Sequence, residues 1–202
     1  NYKLTGGNTA PFAIEEKNVS VEWDTERTFT YNCQPQGPTI KTVTGVVDGD
    51  ACTVEVSGQQ TEVGNYTATA VLTGTKAENY KLTGENAVAF TIIPTDSVQA
   101  SLTDAQKPSA IDLTYNGDAQ TLVTGPTTTP ASYTIQYKVG EGNWSEKLPT
   151  GTDAKTYTVE VQYRSTDQNY ADFDGDPIDV PIKQKLLGLS WGETSFPYDG
   201  LS

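Results

Sequence analysis

Few residues in this chain could carry chemistry. It has no histidine and two cysteines, Cys33 and Cys52. Without an imidazole no Ser-His-Asp triad can be assembled, no thiolate has its usual activating base, and a Cys/His zinc cluster lacks ligands. The cysteine pair is therefore a disulfide candidate, with two free thiols as the alternative. A bridge closing a loop of roughly 20 residues would stabilise the fold by about 3 kcal/mol on the chain-entropy account. Asp172, Asp174 and Asp176 alternate around Gly175. Hard oxygen ligands at such spacing make a calcium candidate, although they do not complete an EF-hand loop and an Asp-rich turn needs no metal. Trp144 follows Gly140-Glu141-Gly142-Asn143 at a hairpin tip. There an indole can stack on a glycan or fold back over its own strands. The 26 acidic residues leave room for a glycoside-hydrolysing carboxylate pair, but no pair stands out from the surrounding pattern. No catalytic residue and no cofactor is expected.

The segments that would position these side chains read as short strands. Val19-Ser20-Val21-Glu22-Trp23, Val88 to Ile93 and Ile178 to Ile182 alternate apolar with polar residues, the pattern of strands with one buried face. Gly, Pro, Asn and Asp punctuate the intervals, and no stretch has helical period. The chain also repeats itself. Asn1-Tyr2-Lys3-Leu4-Thr5-Gly6 returns as Asn79-Tyr80-Lys81-Leu82-Thr83-Gly84, and more loosely as Asn169-Tyr170-Ala171-Asp172-Phe173-Asp174-Gly175. Thr28-Phe29-Thr30-Tyr31 is matched by Leu113-Thr114-Tyr115-Asn116-Gly117 and by Phe196-Pro197-Tyr198-Asp199-Gly200. Leu189-Ser190-Trp191 echoes Val21-Glu22-Trp23, and Gly64-Asn65-Tyr66-Thr67 is matched by Lys155-Thr156-Tyr157-Thr158. The repeat predicts an all-β chain of tandem sandwich modules, each about 80–90 residues and able to bury one modest core. The expected divisions are the closing hairpin of a preceding repeat (1–17), two full repeats (18–95 and 96–185), and the opening strands of a following repeat (186–202). Residues 139–153 read as a lengthened hairpin peculiar to the second repeat. Tyr66 and Tyr157 read as buried rings with their hydroxyls bonded to nearby backbone, with sugar stacking as the alternative.

Charge narrows the partners. The chain carries 13 basic and 26 acidic residues, a net −13 with pI near 4.2. Phosphate backbones and anionic lipid surfaces both want the opposite sign, so neither nucleic acid nor a membrane surface is expected as a partner. No run approaches the roughly 18 apolar residues of a membrane span. The absence of any methionine suggests an internal piece of something longer.

Tyr-Asn-Gly, then Val-Thr-Gly, then Gly-Asn-Tyr-Thr, Asn-Tyr and a final apolar strand together resemble the MBG repeats and related bacterial immunoglobulin-like surface repeats. In the second repeat, Gly142-Asn143-Trp144-Ser145, Pro149-Thr150-Gly151-Thr152-Asp153 and Tyr157-Thr158-Val159 are similar to phrases of large surface proteins of Gram-positive gut bacteria. The resemblance implies Ig-like sandwiches acting as a stalk or spacer in a secreted or cell-wall-attached protein. Its partners would be neighbouring repeats of the same polypeptide, and its setting extracellular. Two alternatives remain open: an adhesin module gripping a host protein or glycan through loops such as 139–153, and an accessory module of a carbohydrate-active enzyme.

Overall fold

Alternation becomes pleat throughout the computed structural model, which describes residues 2, 5–7, 10–190, 192, 195 and 198. The protein is mostly β, with helix limited to α1 (Ser97–Ala100) and single 3₁₀ turns at Ala77–Asn79 and Asp104–Gln106. It divides into two compact units, Asn1–Thr95 with Gln168–Tyr170, and Asp96–Asp167 with Ala171–Ser202.

The first unit contains β1 (Lys17–Trp23), β2 (Thr28–Thr30), β3 (Ile40–Thr44), β4 (Thr53–Ser57), β5 (Gly64–Thr73), β6 (Tyr80–Thr83) and β7 (Ala87–Ile93). They form two sheets, in the orders β3-β1-β6 and β2-β7-β5-β4. The inward residues of both sheets meet in one core of Trp23, Ala68, Ala70, Val88, Phe90 and Ile92. Phe29 adds an edge-to-face contact with Phe90, ring centroids 5.9 Å apart. A second cluster gathers Val19, Cys52 and Tyr80. The closing strands differ from the sequence expectation. β6 and β7 are the counterparts of the segment read as a closing hairpin at 1–17, yet they lie in different sheets: β6 runs parallel to β1, and β7 runs parallel to β2 and antiparallel to β5. Two adjacent alternating runs identify strands but do not say which neighbour each one takes.

The second unit contains β8 (Ser109–Ala110), β9 (Leu113–Thr114), β10 (Gln120–Thr121), β11 (Val123–Thr124), β12 (Tyr133–Val139), β13 (Thr150–Gly151), β14 (Thr156–Ser165), β15 (Phe173–Asp174) and β16 (Ile178–Lys183). Its main path runs β12-β14-β16-β9, with β15 also on β14, and β16 and β9 parallel. Small ladders join β8 to β11 and β10 to β13. Tyr133, Ile135, Tyr137, Val159, Val161, Tyr163, Val180 and Ile182 are buried along the inner face. The insertion at 139–153 begins as a hairpin, because Tyr137 and Ser145 exchange backbone hydrogen bonds of 2.8 and 3.0 Å. It then departs from hairpin form, and Thr150–Gly151 pairs with β10 instead.

Among the described residues before Lys17 and after Lys183 no strand forms. Phe12, Ile14, Leu186, Leu187 and Leu189 are exposed. The expected closing hairpin at 1–17 and opening strands at 186–202 are thus not seen among these residues; the rest of both segments, Trp191 included, lies outside the described residues.

Candidate functional site

The two thiols stay apart and free. Cys33 is exposed in the turn after β2, at φ 64°, where the Asn32 side chain accepts a 2.9 Å bond from the Gln34 N–H. Its side chain hydrogen-bonds the Tyr31 hydroxyl and pushes that group up to about 12. Cys52 is buried just ahead of β4. β2 and β4 are opposite edges of one sheet, with β7 and β5 between them. Three strand spacings come to about 14 Å, well beyond the roughly 7 Å limit between bridged Cα atoms. The disulfide expectation is corrected on that ground.

The three aspartates do not converge either. Asp172 accepts 2.7 Å bonds from the Arg164 guanidinium and the Ser165 N–H, and Asp174 accepts a 3.0 Å bond from the Gln162 amide. Asp172 and Asp174 are thus engaged by different residues of β14 and the turn beyond it, and Asp176 lies past the end of β15. No group of three or more His, Cys, Asp or Glu suited to a metal occurs among the described residues. The calcium candidate loses its ligand set accordingly.

Tyr66 and Tyr157 are half-buried corner residues. The Tyr66 hydroxyl donates to the Val63 carbonyl at 3.4 Å, and its ring lies 5.7 Å from Phe90. The Tyr157 hydroxyl accepts from the N–H groups of Thr152 and Asp153 at 3.1 and 3.0 Å. Gly64 and Gly151 lie under these side chains; a Cβ at Gly64 would stand 2.8 Å from the Tyr66 hydroxyl oxygen and 2.9 Å from its ring, and one at Gly151 would stand 2.7 Å from the Tyr157 ring.

What the second unit does assemble is a cleft. Tyr163 on β14 is the anchor: its ring stacks on Phe173 at 4.6 Å, and its hydroxyl donates 2.9 Å to the Gln106 carbonyl. Burial pushes that hydroxyl up to about 12. The 97–107 segment is thereby held against the sheet, and a capping box between Thr103 and Gln106 fixes its second turn. Between segment and sheet lies a cavity of about 140 Å³, walled by Leu102, Pro108, Val161 and Ile178 and rimmed by Gln99, Lys107, Asp174 and Asp176. Gly175 forms part of its wall, held by a 2.9 Å bond from its N–H to the Val161 carbonyl. A neighbouring depression of about 160 Å³ shares Val161, Asp174 and Gly175 and continues to Glu160, Pro177 and Trp144.

Trp144 lies back over its own strands, the second of its two sequence readings. The loop folds back so that the Lys138 ammonium lies 5.0 Å from the ring centroid, and the half-buried indole also lines the depression. Lys138 is further tied to Glu160 by a 2.8 Å ion pair. Sequence reasoning missed Gln99, Leu102 and Lys107, having placed this stretch in the second repeat without assigning it a role. Its signal was the apolar pair Val98 and Leu102, four apart, which is helical spacing. Comparison with protein-family models, with curated proteins and with solved structures gives no match to the chain.

Proposed function

We propose that this chain is a load-bearing spacer: tandem Ig-like β-sandwich modules from a large bacterial cell-surface or secreted protein, separating other domains and keeping them projected. One observation carries the reading. The paths β2-β7-β5-β4 and β9-β16-β14-β12 have the same order, and in each the last strand runs parallel to an early one. Force on the two ends of such a unit draws parallel strands in opposite directions. Their hydrogen bonds are then loaded together in shear, whereas an antiparallel hairpin opened at its end loses them one by one. The pairing is Thr28–Thr30 with Thr91–Ile93 in the first unit and Leu113–Thr114 with Ile182–Lys183 in the second. Beyond each ladder a further bond extends it: Tyr31 N–H to the Ile93 carbonyl at 2.9 Å, and Tyr115 N–H to the Lys183 carbonyl at 2.8 Å. The −13 net charge fits the same role, since like charges keep neighbouring copies apart in solution. Stretching single molecules from both ends tests the reading. Two discrete unfolding events are expected, and smooth extension without events would overturn it.

A further inference from the structure

We propose that Asn116 is a self-modifying site, where the side-chain amide closes on the next backbone nitrogen and is lost as ammonia. Asn116 is the chain's only asparagine followed by glycine. It is exposed in the turn after β9, and Gly117 follows at φ 93°. Without a Cβ, Gly117 leaves its nitrogen open to approach from the Asn116 side chain. Among the described residues no group accepts the Gly117 N–H, so the attacking nitrogen is uncommitted. The Asp118 N–H donates to Asn116 Oδ1 at 2.9 Å, folding that side chain back along its own backbone. The same bond bears on the reaction. As the Gly117 nitrogen adds to Cγ, negative charge gathers on Oδ1, and a donor already aimed there stabilises it.

The reaction needs only water. The Gly117 nitrogen gives up its proton and bonds to Asn116 Cγ. The bond from Cγ to the amide nitrogen breaks, and that nitrogen leaves with a proton as ammonia. The product is a succinimide, which water opens at either carbonyl. Cleavage at Cγ gives aspartate in an ordinary backbone, and cleavage at the main-chain carbonyl gives isoaspartate. Either product puts a new carboxylate in the same turn as Asp118, and isoaspartate also adds a methylene to the main chain just after Tyr115.

The first unit carries its own control. Asn32 occupies the matching turn after β2, is also exposed, and its Oδ1 accepts the Gln34 N–H at the same 2.9 Å. The residue after it is Cys33, at φ 64°. The two turns share the polarising bond and differ at the attacking residue, where Cys33 carries a Cβ. Only the turn of the second unit is set to react. This chemistry is independent of the load-bearing role, and either could stand without the other.

The test is peptide mapping by mass spectrometry on the whole folded chain, aged in mildly alkaline buffer that favours loss of the Gly117 proton. Asn116 is expected to convert at least about tenfold faster than Asn32, giving both aspartate and isoaspartate. Gly117→Ala, whose Cβ would meet nothing within 4 Å, should slow Asn116 about tenfold. Cys33→Gly should quicken Asn32 about tenfold; glycine accepts the positive φ at that position, so this variant keeps its fold. Retention of the Asn116 amide over a time in which the urea-unfolded chain loses it would overturn the proposal. So would equal rates at Asn116 and Asn32, or a Cys33→Gly chain whose Asn32 reacts no faster than the parent's.

Discussion

Gly74→Ala should be among the most damaging single-methyl additions in the first unit. Gly74 follows β5 with φ 104°, a conformation that costs an L-residue about 1–2 kcal/mol. A Cβ there would stand 2.3 Å from the Ala51 carbonyl oxygen and 3.0 Å from its carbon. Those atoms are backbone, so no side-chain rotation relieves the overlap. The same oxygen accepts the Lys76 N–H at 3.1 Å, and displacing it forfeits about 1 kcal/mol more. The total is about 3 kcal/mol. Gly84 provides the control, since its φ is 85° but nothing lies within 4 Å of an added Cβ. Gly84→Ala should then cost about 1–2 kcal/mol, from conformation alone. For a unit of this size each kcal/mol lowers Tm by roughly 4–8 °C, giving a fall of roughly 15 °C for Gly74→Ala and about half that for Gly84→Ala. Scanning calorimetry on the two variants reads the difference. Equal shifts would refute the close backbone approach at Ala51.

Alkylation under non-reducing conditions should find two free thiols, Cys33 reacting in the folded protein and Cys52 only on unfolding; an intact disulfide by mass would contradict the strand order. Tyr163 stays neutral in the fold until about pH 12, whereas the same phenol in the unfolded chain ionises near 10. Its contribution is therefore whole below pH 10 and lost as pH rises from 10 towards 12, and circular dichroism should show alkaline unfolding across that window. Burial raises Tyr137 in the same direction. Asp172→Asn should cost at most about 1 kcal/mol, because its ion pair with Arg164 is about half exposed. Calcium should shift the melting temperature of neither parent nor variant, and a calcium-dependent rise in the parent would restore the metal reading.

Strands were the legible part of this sequence. Val19-Ser20-Val21-Glu22-Trp23 alternates, and Val19 and Trp23 are buried as that pattern requires. The hydroxyls of Tyr66 and Tyr157 meet nearby backbone as read, but both rings are half-buried rather than buried, each lying over a glycine, Gly64 or Gly151. Pairing was less legible. The Asn79-Tyr80 phrase enters β6, and Tyr80 is buried with its hydroxyl donating to the Asp50 carboxylate, but the strand it begins sits beside β1. Alternation fixes the buried face of a strand and leaves its partner to tertiary packing. The cysteine error has the same origin, since nearness of two strand ends depends on sheet order and not on turn count. The cleft was hidden because its wall is a linker turn whose one-sided apolar pair, Val98 and Leu102, is too short to register as a helix.

The account stands most directly on the force needed to part the parallel strands. Tyr31→Pro deletes the N–H that bonds the Ile93 carbonyl, and Tyr31→Ala controls for loss of the ring; Tyr115→Pro and Tyr115→Ala do the same for the Lys183 carbonyl. Forced unfolding follows the unfolding barrier, so a weakened clamp lowers the rupture force. Pulled from its ends, the parent should give two events. The lower should belong to the second unit, whose parallel ladder has two residue pairs against three in the first. Relative to its alanine control, Tyr31→Pro should lower only the higher-force event and Tyr115→Pro only the lower. Proline variants that rupture at the same forces as their alanine controls would contradict the load-bearing account.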